Sequence, residues 1–347
     1  MMPESTRNRV SVLITAYKTS DLVHQCLDSL LAVCGGALPE TIVVDDAAGD
    51  PAMKECVKSY SSYGVKLLVM PKNGGFAGAN NFGFPHCTKE FVTLVNTDIV
   101  FHDDSFTPLV EFMDAHPAAQ ILQGRLAIKN GDVNVDGHLN GCGAMLTPLG
   151  TTVTPGWLAP ANDPVSFAPR MCFAAYGAFF MVRRDLPNRV GGLFHDHFFM
   201  YYEEVDLCHR TWLSGGEVWY VPTPFIDHAH SVTAGRFCDR TNVLKKFYRN
   251  MRFSFLTCFG LRGLLTVLPV FEFFCFGQVL VQLLQGKTIA LKAHAWAIWH
   301  LMGLWGDVRR VRRQVQSCRV MGDSALFKIV MKNYSWKEFW QLVRGNS

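Results

Sequence analysis

The sequence predicts an α/β protein: a Rossmann-like, mostly parallel sheet followed by a helical, apolar region. Three observations predict it. Short strand-like apolar runs recur at 9–17, 40–50, 65–70 and 91–98, the first, second and fourth ending on polar residues, with helical spacing in the first two gaps. The charge changes sign along the chain, with 17 Lys/Arg against 25 Asp/Glu in residues 1–244 and 16 against 4 in residues 245–347. Apolar residues then crowd 253–286 almost without break. The expected division is therefore one domain at 1–244 and a basic, membrane-associating helical region at 245–347.

RVSVLITAY (9–17) reads as a buried parallel strand. DLVHQCLDSLLAV (21–33) follows as a helix, with Leu22, Cys26, Leu30 and Val33 at helical spacing. ETIVVDDAAGD (40–50) is a second strand ending on acids, and PAMKECVKSY is a helix with Pro51 in its first turn. VKLLVM (65–70) and FVTLVNTD (91–98) are the third and fourth strands. Such units wind right-handed and bind ligands at the carboxyl ends of the strands. The polar residues there are Thr15, Asp45, Asp46, Asn96 and Asp98. Residues 120–175 show no period and many Gly, Pro and Asn, so they read as irregular strands and loops over the cleft. YGAFFMVRRD (176–185) is strand-like, EEVDLCHRTWLSG is a helix ending at Gly215, and EVWYVP (217–222) is a strand.

The C-terminal apolar run is interrupted by Arg262, Pro269, Glu272 and Gln278, and holds no charge-free window of about 18 residues. Gln278, Gln282 and Gln285 make one polar stripe at helical spacing. Tryptophans then precede Arg309, Arg310, Arg312 and Arg313, which pairs interface-seeking rings with headgroup-seeking cations. In-plane membrane contact is the expectation, with a true span and a buried homo-oligomer face as alternatives. The apolar setting of the basic charge favours a membrane over nucleic acid. Eleven scattered cysteines without CxxC spacing point to reduced thiols, and the short polar start is not expected to be a signal peptide. The expected location is the cytoplasmic face of the plasma membrane, held peripherally.

Four stretches could carry chemistry. Asn96-Thr97-Asp98 ends a strand and reads either as a turn or as an acid holding a divalent cation on a diphosphate. NGGFAGANNFG (73–83) is either a connecting loop or a backbone cradle for a ligand. It is no Walker loop, and the first strand lacks the glycines of a dinucleotide fingerprint, which argues against nicotinamide or flavin chemistry. DHAHS (227–231) offers His228 as a metal or phosphate contact, or as a structural residue. YYEEVDLCHR (201–210) crowds three acids at a helix start. Glu203 and Asp206 suit the helix dipole, and Asp206 with Arg210 makes an i, i+4 pair worth a few tenths of a kcal/mol if exposed. Glu204 lies about 100° further round, above Leu207 and Cys208. There its pKa would rise toward the range of a general base; the alternative is a first-turn acid in water.

In order, these motifs resemble the family 2 inverting glycosyltransferases of GT-A fold over about residues 9–250. The nearest subgroup is similar to the bacterial rhamnosyltransferase-like enzymes of O-antigen and cell-wall glycan assembly. The resemblance implies that Thr15, Ala16 and Tyr17 form the first nucleotide-contacting segment. It implies that Asp45 reads the base, with Asp46 beside it, and that Asn73, Gly75, Phe76 and Asn81 lie near the nucleotide sugar. Asn96-Thr97-Asp98 is similar to a DxD motif whose first acid is Asn, so Asp98 carries the metal. His228, before Thr233, completes the metal and diphosphate site. YYEEVDL resembles YxEDxDL, whose second acid, here Glu204, is the base. Tyr202, Glu203, Asp206 and Arg210 are implied to support it or the acceptor. The implied cofactor is Mg2+ or Mn2+, the donor a nucleotide-diphosphate sugar, and the acceptor a glycan or a polyprenyl-diphosphate-linked glycan. A nucleotidyltransferase would need a basic, Gly-rich N-terminal loop, which TAYKTSD does not supply. A catalytically decayed membrane scaffold is the non-enzyme alternative.

Overall fold

The computed structural model describes residues 1–46, 49–129, 137–148, 150–229 and 239–331. Strands β1 (Val10–Ala16), β2 (Glu40–Asp45), β3 (Lys66–Val69) and β4 (Phe91–Asn96) form where the β-branched runs predict them. Helices α1 (Glu4–Arg7), α2 (Ser20–Val33) and α3 (Pro51–Ser59) lie between or before them. The four strands run parallel in the order β3-β2-β1-β4. β1 is apolar on both faces because α2 and its neighbours cover one side and the C-terminal half of the domain the other.

Beyond β4 the sheet is mixed. It continues through β13, β6, β14 and β12, which are Phe179–Arg183, Ala119–Gln123, Glu217–Tyr220 and Arg170–Met171. Six of its eight strands still run one way, and only β13 and β12 oppose them. β13 is antiparallel to both of its neighbours. β6 is buried at every position. It falls inside the stretch read as irregular, because a five-residue run with two glutamines shows no period of its own. Gln123 explains one of them: its side chain holds Gly141 O and Tyr176 N, knitting the loops to the sheet.

A second sheet runs β11-β8-β7-β15-β5 (Trp157–Pro160, His138–Asn140, Leu126–Ile128, Ile226–His228, Ile99–Phe101). A two-stranded β9-β10 ribbon (Met145–Leu146, Thr152–Val153) lies beside it. The Gly-rich segment is helix α4 (Gly75–Gly83), not a loop. Tertiary packing overrides its poor helix propensity: a Cβ at Gly83 would lie 2.5 Å from a Leu13 methyl, so the glycine lets the helix lie on the sheet. Short helices α5 (Thr107–Ala115) and α6 (Leu186–Val190) precede α7 (Glu203–Leu213), which ends just before Gly215 at φ +83°.

The C-terminal region is α8 (Arg240–Cys258), α9 (Leu261–Leu284), α10 (Ile289–Gly303), α11 (Trp305–Ser317) and α12 (Asp323–Val330). α8 runs unbroken through position 245, where the charge balance changes. Its Met251, Phe253, Phe255 and Cys258 share one core with Val205 and Leu207 of α7. The last carbonyls of α8 are capped by side chains of the basic stretch. Arg312 donates to Leu256 O and Phe259 O, Gln316 to Thr257 O and Cys258 O, and Arg319 to Cys258 O. Part of the cationic excess is therefore structural. Among the described helices, α9 is long and apolar enough to cross a membrane by length and composition. The described cysteines are free thiols.

Candidate active site

β1 pairs Thr15 with both Val44 and Asn96, and Ala16 with Asp45, so the carboxyl ends of three strands lie level. A cleft of about 470 Å3 opens at that edge. Thr15, Ala16, Tyr17, Asp46, Asn73, Gly75, Phe76, Asn96, Asp98, Glu203, Glu204 and His228 line it. Residues from six separate stretches of sequence thus meet in one cavity.

The remaining expected residues do not line the cleft. Asp45 is buried at the end of β2. Asn81 donates to Phe194 O and Asp196 and accepts from Phe194 N, so it pins the loop before α7. Tyr202 packs its ring on Phe247 and Phe255. Asp206 and Arg210 are buried, which corrects the exposed-pair expectation. Arg210 donates to Asp206 at 2.7 Å and to the carbonyls of Val190, Gly192 and Leu193.

Asp46 acts through the backbone. Its carboxylate accepts Gly74 N at 2.7 Å and Gly75 N at 2.9 Å, satisfying the open donors at the start of α4. Burial raises its pKa, and those two bonds oppose the rise. Gly75 is required here: its φ is +66°, and a Cβ would lie 2.3 Å from Phe199 O.

Helix α7 has no solvent-facing acidic side. Glu203 is buried, its Oε2 has no hydrogen-bond partner among the described residues, and burial together with the Glu204 charge pushes its pKa well up. Glu204 is half-buried and reaches into the cleft beside Gly177. Burial pushes its carboxyl up to about 7, against the opposing amides of Glu204 and Val205. The expected tuning of Glu204 is present. Its cause is burial at the cleft wall, and the more deeply buried acid is its neighbour.

A divalent cation fits Asp98 and His228. β15 pairs His228 with Ile99, which brings its Nε2 to 3.5 Å from Asp98 Oδ1. His228 Nδ1 lies 2.5 Å from Asn140 Oδ1. Burial lowers the imidazole to about 4, so it is neutral at pH 7. With its N–H on the amide oxygen, Nε2 is the basic nitrogen on the Asp98 side, as in metal-ligating histidines. Among the described residues no group of three His, Cys, Asp or Glu gathers to hold a metal. One carboxylate and one imidazole leave the other positions to substrate phosphate and water, a donor set that suits Mg2+ or Mn2+. His230, Ser231 and Thr233 lie outside the described residues.

Tyr176, Gly177, Phe199, Asn242 and Lys246, for which sequence reasoning offers no role, also line the cleft. Tyr176 lies within electrostatic reach of both Glu204 and Asp98. Asn242 and Lys246 come from α8, close to where the sequence suggests a membrane region begins.

The mixed sheet with the cleft at the carboxyl edge of its parallel strands is a fold of GT-A type. The chain belongs to glycosyl transferase family 2, whose model matches residues 11–186. An uncharacterized glycosyltransferase of Haemophilus influenzae is 30% identical over 129 residues, 36% of this chain and 48% of that protein. The succinoglycan biosynthesis protein ExoO of Rhizobium meliloti is 28% identical, over 37% of this chain and 35% of its own length. The low-salt glycan biosynthesis hexosyltransferase Agl10 of Haloferax volcanii is 23% identical, over 58% and 61% respectively. The chain thus spans about half the length of these relatives. In fold it is similar to GalNAc-T7, solved with UDP, GalNAc and Mn2+, at TM-score 0.56 and 13% identity over 72% of this chain and 48% of that one. It is similar also to Staphylococcus aureus TarS 1–349, at TM-score 0.52 and 14% identity over 89% and 88%.

Proposed function

We propose that the protein is an inverting glycosyltransferase of cell-surface polysaccharide assembly. It would move a sugar from a nucleotide-diphosphate donor to a hydroxyl of a glycan or a polyprenyl-diphosphate-linked glycan. The observation that carries this reading is the single cleft holding both the Asp98–His228 pair and Glu204. The relatives named for succinoglycan and low-salt glycan synthesis support the polysaccharide context. Rhamnose as the donor sugar rests on the motif order in the sequence.

In this mechanism Thr15, Tyr17 and the α4 start enclose the nucleotide side of the cleft. Glu204 takes the proton from the acceptor hydroxyl as its oxygen attacks the anomeric carbon, on the face opposite the leaving nucleotide. The bond to the diphosphate oxygen breaks, and the configuration inverts. A divalent cation on Asp98 and His228 would neutralise the departing diphosphate. Contact of α9 and α10 with the cytoplasmic face of a membrane would bring a lipid-linked acceptor to the same surface.

The test is a panel of UDP-glucose, UDP-N-acetylglucosamine, GDP-mannose and dTDP-rhamnose, each with Mn2+. Release of nucleoside diphosphate and a thermal shift from at least one donor are expected. No release and no shift from any donor would count against the reading.

A further inference from the structure

The segment before Glu203 is strained. Phe199, Tyr201 and Tyr202 hold φ of +62°, +70° and +74°, a region that side-chain-bearing residues rarely adopt. Met200 N donates to Phe198 O at 2.7 Å across Phe199, a γ-turn of the strained, positive-φ kind. Such a strap persists only where its surroundings hold it.

Two elements do so. On one side Ala77 N of α4 donates to Phe199 O at 3.0 Å. On the other is Asn250 of α8, fully buried. Its Nδ2 donates to Phe198 O at 3.0 Å, Met200 O at 3.1 Å and Tyr201 O at 2.7 Å. Two N–H bonds serve three carbonyls, so one is shared. The amide orientation follows from chemistry: Arg249 donates to Asn250 Oδ1 from Nε at 3.0 Å and Nη2 at 2.8 Å. Arg249 also donates to the carbonyls of His197 and Phe198. The guanidinium thus fixes the oxygen end and leaves the NH2 end facing the strap.

We infer that Asn250, oriented by Arg249, is a positioning residue that latches the Phe198–Tyr202 strap and so aims Glu204 at the acceptor oxygen. This rests on the reading of Glu204 as the base. The strap leads directly into α7, whose second residue is Glu204. A displacement of the strap moves that carboxyl, and such misplacement costs about 100-fold in rate at the scale of 1 Å.

The test uses Asn250→Asp, which keeps the size and the Arg249 contact but replaces the donor with an acceptor. Arg249→Lys is the second variant, in case the first fails to fold; it removes the fork that orients the amide. Turnover is read as nucleoside diphosphate release from the four-donor panel, with water as acceptor. A kcat lower by about 100-fold with donor KM within threefold of wild type is expected for Asn250→Asp. Arg249→Lys should show the same split, less strongly. Amides of residues 197–206 should exchange hydrogen at least tenfold faster in either variant.

Glu204→Gln separates the two readings. If it turns over like wild type, the base assignment fails. If it is inactive while a folded Asn250→Asp or Arg249→Lys keeps wild-type kcat and exchange, the latch is overturned. A rise in donor KM at unchanged kcat would also overturn it, by assigning the strap to donor binding.

Discussion

Arg210 Nε lies 2.7 Å from Asp206 Oδ2, and both side chains are out of solvent. His195 adds a second contact, with its Nε2 3.2 Å from the same oxygen. Burial alone would raise the Asp206 pKa, but Arg210 and His195 overcome it and hold the group well below the usual carboxylate range. Removing one partner leaves a buried charge and frees the carbonyls of Val190, Gly192 and Leu193. Arg210→Ala is therefore expected to cost about 3–5 kcal/mol in urea unfolding. The folded pKa of Asp206 lies below the unfolded value of about 3.9, so its contribution is complete above that pH and fades as the pH falls below it. A variant as stable as wild type would show that the network is not what fixes the loop before α7.

A second prediction concerns the pH dependence of turnover. Glu204 must be ionised to accept a proton, and burial pushes it up to about 7. The acid limb of kcat/KM should therefore have its midpoint near 7, and Glu204→Gln should lower turnover by roughly 10²–10⁴-fold. Stability carries the opposite sign. The folded pKa is above the unfolded one, so the folded state loses stability as pH rises from about 4.3 through 7. Glu204→Gln should then melt higher than wild type at pH 8. An acid limb near the ordinary glutamate value would refute the tuning.

A third prediction concerns the cation. Mn2+ that binds only the folded chain should raise the melting temperature, increasingly with concentration, and EDTA should reverse it. Asp98→Ala should abolish this shift and His228→Ala reduce it, because the cation is proposed to rest on this adjacent carboxylate and imidazole. Equal Mn2+ shifts in Asp98→Ala and wild type would remove the assignment.

Strands β1, β2 and β4 were legible because each is a buried apolar run ending on polar residues, and Thr15, Asp46 and Asn96 at or just past those ends line the cleft. The order of motifs also placed Asp98, Glu204 and His228 before any contact was known. β6 and α4 were not legible, since one lacks a period and the other is rich in the poorest common helix former; both owe their state to partners distant in sequence. For the same reason the Asp206–Arg210 pair read as exposed: spacing defines a shared helix face but not what covers it. Here α8 covers it with Phe253, Phe255 and Cys258, residues whose apolar run suggested a membrane. Asn250 gave no signal at all, because its partners are backbone carbonyls of a strained strap.

The last prediction concerns the outer face of α9 and α10. The polar groups of α9 turn inward: Tyr248 donates to Gln278 at 2.9 Å, Gln282 accepts Ala290 N at 3.1 Å, and Arg252 clasps Glu272 at 2.7 and 2.8 Å. Its apolar groups turn outward, with Phe273 79%, Phe276 67% and Leu284 82% exposed, and Trp299 of α10 69% exposed. Gln278 and Gln282 of the glutamine stripe thus face protein while Gln285 is exposed, and the helix presents Phe273 and Phe276 to the surroundings. Exposed Arg262, Lys287 and Lys292 lie on or beside these helices, the charge that anionic headgroups favour. Deleting residues 253–347 would be a poor test, because Phe253, Phe255 and Phe259 belong to the core of the domain. Phe273→Ser with Phe276→Ser leaves that core intact. Each substitution should weaken binding to phosphatidylglycerol vesicles by about tenfold, given roughly 1.5 kcal/mol or more per buried ring. Binding should also weaken with salt and be poorer on phosphatidylcholine. If the double variant sediments with vesicles like wild type, the face is not the membrane contact; if it instead converts a lipid-free dimer to monomer in light scattering, the face joins two copies of the chain.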